Sequence, residues 1–362
     1  MSVLIVGGGL QGFELCYLAN KSNRNSMIVD RKANPIARSI SDGFFQIDIT
    51  DQFTKFREFA RDFEYIVPAT ENQETLKLLQ KKDSELKPEI LFDFNSFFMM
   101  SNKKQMYNEL EPFVDIPPKQ TESEPPWICK PTYGSGSQGV RKVNKKQQVE
   151  TIGTDYLVQK YIEGKHYSTE AISRDGETFE YVTTVLEFDE SYGCCRIICT
   201  PKISTEILKE QSEIIKKITN NLNINYLFDI QTVRNNKTYL IEVNTRFPSQ
   251  TPIAVYWATG INLLEEMIKP DKGFETYSKK IEVDPVVFEH FKIDDEVTNI
   301  GEIQLINSQN YRKYSFDHCE ELYLGELPDG STVGTVIFKS KSMEELEQKR
   351  SSFYSEIRKE IN

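Results

Sequence analysis

The chain is predicted to join an α/β segment, built on a parallel sheet, to α+β lobes built on antiparallel sheets. Three observations lead there. Short apolar runs alternate with helical stretches over the amino-terminal part; beyond a polar, proline-rich connector at 117–126, strands follow one another with few helices between; and 362 residues are enough for two or three cores.

In order, Val3–Val6, Ser26–Asp30, Phe44–Asp48, Tyr65–Ala69 and Ile90–Phe94 read as short buried strands, with helices at Gly12–Lys21, Asp51–Asp62 and Asn72–Lys82. That alternation implies parallel strands joined by right-handed crossovers. A helix near Lys103–Pro112 precedes the connector. Trp127–Lys130, Val140–Val143 and Tyr156–Ile162 are then expected as antiparallel strands, followed by Ser168–Ser173 and Tyr181–Phe188. A helix over Thr205–Leu222 leads into a strand pair, Leu227–Val233 and Thr238–Thr245, and an amphipathic helix near Met343–Ile361 closes the chain. Boundaries are expected near 98, 165 and 270, giving segments 1–98, 99–165, 166–270 and 271–362.

Composition narrows the function. With 44 basic and 55 acidic residues the net charge is −11, and no Lys/Arg block supplies the basic face that a nucleic acid would need. No apolar run approaches the roughly 20 residues needed to span a bilayer. Val3–Val6 and a glycine turn follow Met1 directly, without the basic start of a signal peptide, so a cytoplasmic protein without a membrane partner is expected. Cys194, Cys195 and Cys199 cluster, but not at a common zinc spacing, and the six cysteines are expected as reduced thiols. Neither His166, His290 nor His318 sits in a triad-like setting, so the chemistry is expected to run on other side chains. Acidic strand edges and Phe/Tyr patches allow a dimer without arguing for one.

Two glycine motifs point in different directions. Gly7-Gly8-Gly9-Leu10-Gln11-Gly12 matches G-x-G-x-x-G between a strand and a helix, and Asp30 ends the next strand. This fits either a dinucleotide site of an NAD(P) oxidoreductase or a Rossmann-like domain that holds another substrate. Gly134-Ser135-Gly136-Ser137-Gln138-Gly139 instead joins two antiparallel strands and lacks the G-K-[ST] ending of a P-loop. A loop of this kind can fold over phosphates and offer backbone N–H donors. Lys130, ending the strand before it, needs an anionic partner, and a phosphate would supply one.

The acidic strand pair is the strongest signal. Along Tyr239–Thr245, alternation puts Glu242, Asn244 and Arg246 on one face. Asn235-Asn236 reads as a two-residue hairpin loop. Pairing Arg234 with Lys237 sets Asp229 directly across from Glu242. Opposed carboxylates repel unless a cation lies between them. Two acids and an amide suit Mg²⁺, which completes its shell with water and substrate phosphates. Arg246 could hold a phosphate or carboxylate in its planar fork.

Taken in order, these pieces resemble the ATP-grasp superfamily. The residues that carry the resemblance are Asn102-Lys103 before a helix, Lys130 before the glycine loop, Leu157-Val158-Gln159-Lys160-Tyr161-Ile162, Asp229, and Ile241-Glu242-Val243-Asn244-Thr245-Arg246. The resemblance implies an ATP-grasp fold: a Rossmann-like amino-terminal domain, then two α+β lobes clamping ATP. It implies that Lys103 and Lys130 contact the phosphates and that the Gly134, Ser135, Gly136, Ser137, Gln138, Gly139 loop closes over them. Gln159, Lys160 and Ile162 would border adenine through backbone groups; Asp229, Glu242 and Asn244 would hold one or two Mg²⁺ ions; Arg246 would stabilise an acyl phosphate. Gln159 stands where many relatives carry Glu. His166 falls near the position of an acid that holds the ribose, with Glu170 as a substitute.

More narrowly, Leu10-Gln11-Gly12-Phe13-Glu14, Leu91-Phe92-Asp93-Phe94 and Arg246-Phe247-Pro248-Ser249-Gln250-Thr251-Pro252 resemble the ligase family of pyrrolysine biosynthesis. This implies ATP-dependent coupling of the 3-methyl-D-ornithine carboxylate to the ε-amine of L-lysine, giving 3-methylornithinyl-lysine, ADP and phosphate. Ser249, Gln250, Gln11 and Glu71 are then expected near the amino-acid substrates. Phosphoryl transfer depends on positioning and charge neutralisation, which suits a site without histidine chemistry. Another ATP-grasp amino-acid ligase and a non-catalytic nucleotide sensor are the competing readings.

Overall fold

The computed structural model describes residues 2–269 and 281–361. Its amino-terminal sheet is parallel, as the strand–helix alternation requires. Strands β1 (Ser2–Val6), β2 (Asn25–Asp30), β3 (Gly43–Gln46), β4 (Tyr65–Pro68) and β5 (Glu89–Ile90) lie in the order β3-β2-β1-β4-β5. Helices α1 (Leu10–Lys21), α2 (Phe53–Ala60) and α3 (Gln73–Lys82) make the crossovers, and α4 (Phe94–Met100) and α5 (Lys103–Leu110) follow. The expected fifth strand is cut short because Asp93 caps α4 by accepting from the Ser96 N–H at 3.0 Å. The turn into α1 depends on glycine: Gly7 has φ 111°, and a Cβ on Gly12 would lie 2.3 Å from the Gly7 carbonyl oxygen.

Beyond the connector, β6 (Trp127–Pro131), β7 (Arg141–Val143) and β8 (Tyr156–Lys160) form a small antiparallel sheet, with the short α6 (Lys146–Glu150) between the last two. The third sheet has ten strands and is antiparallel throughout. It contains β9 (Lys165–Arg174), β10 (Glu177–Phe188), β11 (Cys194–Cys199), β12 (Tyr226–Arg234) and β13 (Thr238–Asn244), with α7 (Thr205–Asn221) packed beneath. Helices α8 (Thr251–Thr259) and α9 (Leu263–Ile268) follow β13. The sheet continues through β14 (Val286–Ile293), β15 (Val297–Asn299), β16 (Gln309–Tyr314), β17 (Glu321–Glu326) and β18 (Thr332–Lys339), and α10 (Met343–Ile361) covers its end. The boundary expected at 270 falls outside the described residues; β11 and β14, on either side of it, pair in one sheet.

One hydrophobic cluster runs from α1 through α8 and α9 to β14 and β18, so the amino-terminal segment shares its core with the carboxy-terminal one. Polar contacts cross the same seam. Arg24 holds Glu265 through two bonds of 2.8 and 2.9 Å, and Trp257 Nε1 donates to Tyr17 Oη at 2.7 Å. Glu14, buried in α1, accepts from the Ile253 N–H at 2.8 Å and so satisfies an orphan donor at the start of α8. Burial pushes its carboxyl well above the usual range. The small sheet has only a small core of its own, around Trp127, Cys129 and Val143.

Candidate active site

The cleft between the small sheet and the ten-stranded sheet opens into three connected cavities. The wide one, of about 320 Å³, is lined by Lys103, Lys130, the 134–138 backbone, Lys160–Ile162, Gln231 and Glu242. An inner cavity of about 70 Å³ and an outer one of about 310 Å³ both include Ser135, Glu242 and Arg246. Thus Ser135 and Glu242 border all three cavities, at the point where they converge.

The acidic strands are built differently from the expectation. Arg234 pairs with Thr238, not Lys237; a bulge then shifts the register, so Gln231 faces Glu242 and Asp229 faces Asn244. Asp229 and Glu242 are therefore diagonal neighbours, which weakens their repulsion relative to direct opposition. Packing explains the bulge: Leu240 and Val243, three residues apart, both bury in the same core cluster. The extra residue lets them do so, and it leaves both Ile241 and Glu242 lining the wide cavity. Tyr107 Oη fixes the bulge by donating to the Ile241 carbonyl at 2.6 Å. Two rows cross three strands as a result, Glu170–Asp229–Asn244 and Ser168–Gln231–Glu242.

Charges pair around this grid. Lys103 Nζ lies 3.0 Å from Glu242 Oε1 and donates to the Gly134 carbonyl at 2.7 Å. Burial pushes the Glu242 carboxyl up, but Lys103, with Lys130 and Arg246, reverses this and holds it below its ordinary range. Burial depresses the Lys130 ammonium to about 8, with Glu242 opposing the shift and Lys103 reinforcing it. Arg246 Nε lies 2.9 Å from Glu71 Oε1, and its Nη1 lies 3.7 Å from Asp229 Oδ1. Gln11 Nε2 donates to the same Glu71 oxygen at 3.1 Å. Burial raises Asp229 to about 6, against the pull of Arg246 and of Asn244, which donates to its Oδ2 at 3.0 Å.

Most expected site residues gather here. Lys103, Lys130, Asp229, Glu242, Asn244 and Arg246 converge, and Gln11 and Glu71 reach the cleft from the amino-terminal segment through Arg246. Gly134, Ser135, Gly136, Ser137 and Gln138 line the wide cavity; Gly134, Gly136, Ser137 and Gly139 all have positive φ. Gly139 turns back against Pro131, to which a Cβ would approach within 3.0 Å. Ser249 and Gln250 line the inner cavity, and Gln250 donates to the Cys194 carbonyl at 3.1 Å.

Gln159, Glu170 and His166 are placed in three different ways. The Gln159 side chain turns away from the wide cavity and donates to the Pro117 carbonyl at 3.2 Å, tying down the connector; Lys160 and Ile162 line the cavity instead. Glu170 does not line the wide cavity. It sits under the inner cavity, next to Asp229 in the ladder, accepts from Ser168 Oγ at 2.9 Å, and is raised to about 8 by burial and by Asp229. His166, which the resemblance sets near the position of a ribose-holding acid, lines the wide cavity edge-on to Phe188, with burial lowering its imidazole to about 4. Sequence reasoning missed Glu302, which lines the inner cavity from a distant and otherwise featureless stretch of sequence.

The donors at the junction fit a hard divalent cation: two carboxylates and an amide, with Asp229 Oδ1 buried and lacking a hydrogen-bond partner. Among the described residues no three His, Cys, Asp or Glu side chains gather into a complete metal cage. Mg²⁺ needs no such cage where substrate phosphates complete the shell. Asp30, the acid that would mark a dinucleotide site, is engaged by backbone, accepting from the Gly8 N–H at 2.7 Å and the Lys32 N–H at 2.8 Å.

Residues 100–250 match the model of the ATP-grasp domain. The chain belongs to the ATP-grasp family and is an ATP-dependent carboxylate–amine ligase. It is 30% identical, over 96% of its own length and 95% of the other's, to the 3-methyl-D-ornithine–L-lysine ligase of Methanosarcina acetivorans. Its fold is similar to that of N5-carboxyaminoimidazole ribonucleotide synthetase in an ADP complex, with TM-score 0.74 and 15% identity over 97% of this chain and 96% of that one. Biotin carboxylase from Campylobacter jejuni, in a nucleotide complex, is similar at TM-score 0.74 and 14% identity over 97% and 90%. Among the described residues no helix is long and apolar enough to cross a membrane.

Proposed function

We propose that this ligase couples the carboxylate of 3-methyl-D-ornithine to the ε-amine of L-lysine, at the expense of ATP. The observation that carries the reaction type is the convergence of one wide and two smaller cavities on Ser135 and Glu242, beside Arg246. A ligase for two small molecules needs the nucleotide and the acid to meet at the γ-phosphorus, and the amine to reach the adjoining acyl carbon. The choice of substrates is supported by the likeness to the Methanosarcina ligase along nearly the full length of both chains.

ATP occupies the wide cavity, with its phosphates toward Lys103, Lys130 and the 134–138 backbone. Asp229, Glu242 and Asn244 would hold one or two Mg²⁺ ions, which supply charge neutralisation to the transferring phosphoryl group. A carboxylate oxygen of the acid substrate attacks the γ-phosphorus and ADP leaves, giving an acyl phosphate. The lysine ε-amine then attacks the acyl carbon, phosphate leaves, and the amine loses its proton. Arg246 stabilises the charge that builds up on the acyl phosphate, from a guanidinium already oriented by Glu71 and Asp229.

The test is condensation of 3-methyl-D-ornithine with L-lysine in the presence of ATP, read by mass spectrometry with and without Mg²⁺. A Mg²⁺-dependent 3-methylornithinyl-lysine product, with one ADP per product, is expected. ADP release only with some other acid and amine would remove the substrate assignment and keep the ligase. No turnover with any pair, despite ATP binding, would leave a sensor.

A further inference from the structure

Glu302 has no task in the reaction just described. It opens the 3-10 turn Glu302–Leu305 and lines the inner cavity with Arg246, Ser249, Gln250 and Thr251. Its Oε2 is buried without a hydrogen-bond partner, and among the described residues it forms no ion pair. Of the other carboxylates lining the three cavities, Glu242 pairs with Lys103, Glu71 and Asp229 pair with Arg246, and Asp189 accepts from backbone N–H groups; Glu170, behind the lining, accepts from Ser168 and likewise keeps one oxygen unpartnered. Thr251, 5% exposed and lining the same cavity, also has an unpartnered Oγ1. A buried carboxylate and a buried hydroxyl left unsatisfied are costly unless a ligand completes them.

The position of Glu302 is fixed from behind. The Gly301 N–H donates to Asp189 Oδ2 at 2.7 Å, and the Gly193 N–H donates to Asp189 Oδ1 at 2.9 Å. The two glycines cross so closely that a Cβ on Gly301 would lie 2.6 Å from the Gly193 Cα. On the other side, Ile303 meets the phosphate loop, where a Cβ on Gly136 would come within 3.0 Å of its Cδ1. The carboxylate is therefore held beside the reacting end of the cleft by a rigid support.

We propose that Glu302 is a specificity-determining residue that receives an ammonium group of a cationic amino-acid substrate, with the Ser249 and Thr251 hydroxyls completing that group's hydrogen bonds. This deepens the ligase reading and rests on it, since a carboxylate–amine ligase must hold two amino acids. An ammonium offers three donors; Arg246 and Ser249 already favour the Glu302 carboxylate, but among the described residues no cation pairs with it directly, and an ammonium would supply that pair.

The experiment compares wild type with Glu302→Gln and Glu302→Asp. KM and kcat for ADP release are measured with 3-methyl-D-ornithine, ornithine and lysine. They are also measured with norvaline and 5-aminopentanoate, each lacking one of ornithine's two ammonium groups, and with 6-aminohexanoate in place of lysine. ADP affinity and melting temperature are measured alongside. Glu302→Gln is expected to raise KM for one cationic substrate by about ten- to a hundredfold. It should also narrow the preference over the matching desamino analogue, with ADP affinity unchanged and partial recovery in Glu302→Asp. Thr251→Val, altering the same cavity, should shift the same KM in the same direction and carries the test if the Glu302 variants fold poorly. If 3-methylornithinyl-lysine is formed but every KM and preference is untouched, the inference falls and the reading of the reaction stands. If another cationic amino acid proves to be the substrate and its KM depends on Glu302, the substrate assignment falls and the inference stands. Turnover of uncharged amino acids alone overturns both.

Discussion

Lys130 is a cation placed where burial disfavours one. Its ammonium is depressed from an ordinary 10.5 to about 8, so in the free protein it loses its proton as the pH rises through that value. A bound phosphate favours the charged form. Nucleotide binding is therefore expected to take up a proton above about pH 8 and to weaken as the pH rises further, which calorimetry in buffers of different ionisation enthalpy would read. Lys130→Met should abolish the uptake and weaken nucleotide affinity by about tenfold or more. The same shift makes this residue's contribution to stability rise between about pH 8 and 10.5, because the unfolded chain holds the proton longer. Arg246 carries a second expectation. Removing it strands both Glu71 and Asp229, so Arg246→Ala should lower kcat at least a hundredfold and destabilise the fold by about 3 kcal/mol, read by ADP release and denaturant unfolding. Lys103 and Lys130 were legible because they stand at a helix start and a strand end beside a glycine loop, and Asp229, Glu242 and Arg246 because alternation gathers their charges on one face of a strand pair. The partnership of Arg246 with Glu71 was not, since nothing local links residues 175 positions apart. Glu302 left no local signal at all: one glutamate among many in a polar stretch.

Among the elements, the β12–β13 hairpin decides the site. Period-two alternation foresaw the strands and their acidic face, but a two-residue turn put the register wrong. Register in a half-buried sheet is set by which side chains the core accepts, and here the core accepts Leu240 and Val243 together. Deleting Ile241 would remove the bulge and leave Leu240 and Val243 in the core and Glu242 toward the cleft, but it would take away the wall Ile241 gives the wide cavity and the carbonyl that Tyr107 holds. ADP affinity lower by about tenfold and a destabilisation of about 1–3 kcal/mol, from the buried Tyr107 hydroxyl left without its acceptor, are expected, measured by a fluorescent nucleotide and by thermal unfolding. The parallel strands of the first segment were readable because each is short, apolar and followed by a helix. Helices α8 and α9 were not, and α8 begins at Gln250, whose φ of 79° is unusual for a residue with a side chain. Its start depends on Glu14, contributed by α1 across more than two hundred residues.

At the scale of the molecule, stability is unevenly distributed. The amino-terminal segment shares a core, a bidentate ion pair and a Trp–Tyr hydrogen bond with the carboxy-terminal part, whereas the small sheet rests on its own few apolar residues. Backbone amides of β6–β8 are therefore expected to exchange hydrogen faster than those of α1 and α8. MgADP should protect mainly 130–138 and 160–162, while an unchanged exchange pattern there would place the nucleotide elsewhere. The Lys103 ammonium, which touches both Glu242 and the Gly134 carbonyl, gives this arrangement a further consequence. On the proposed placement of nucleotide and Mg²⁺, ligand arrival would be an exchange of partners: a cation would replace lysine at the glutamate while phosphate replaced the carbonyl at the lysine. Neither charge would stand bare before or after such a swap, so much of the dehydration that a charged nucleotide site demands would already be met when the chain folds.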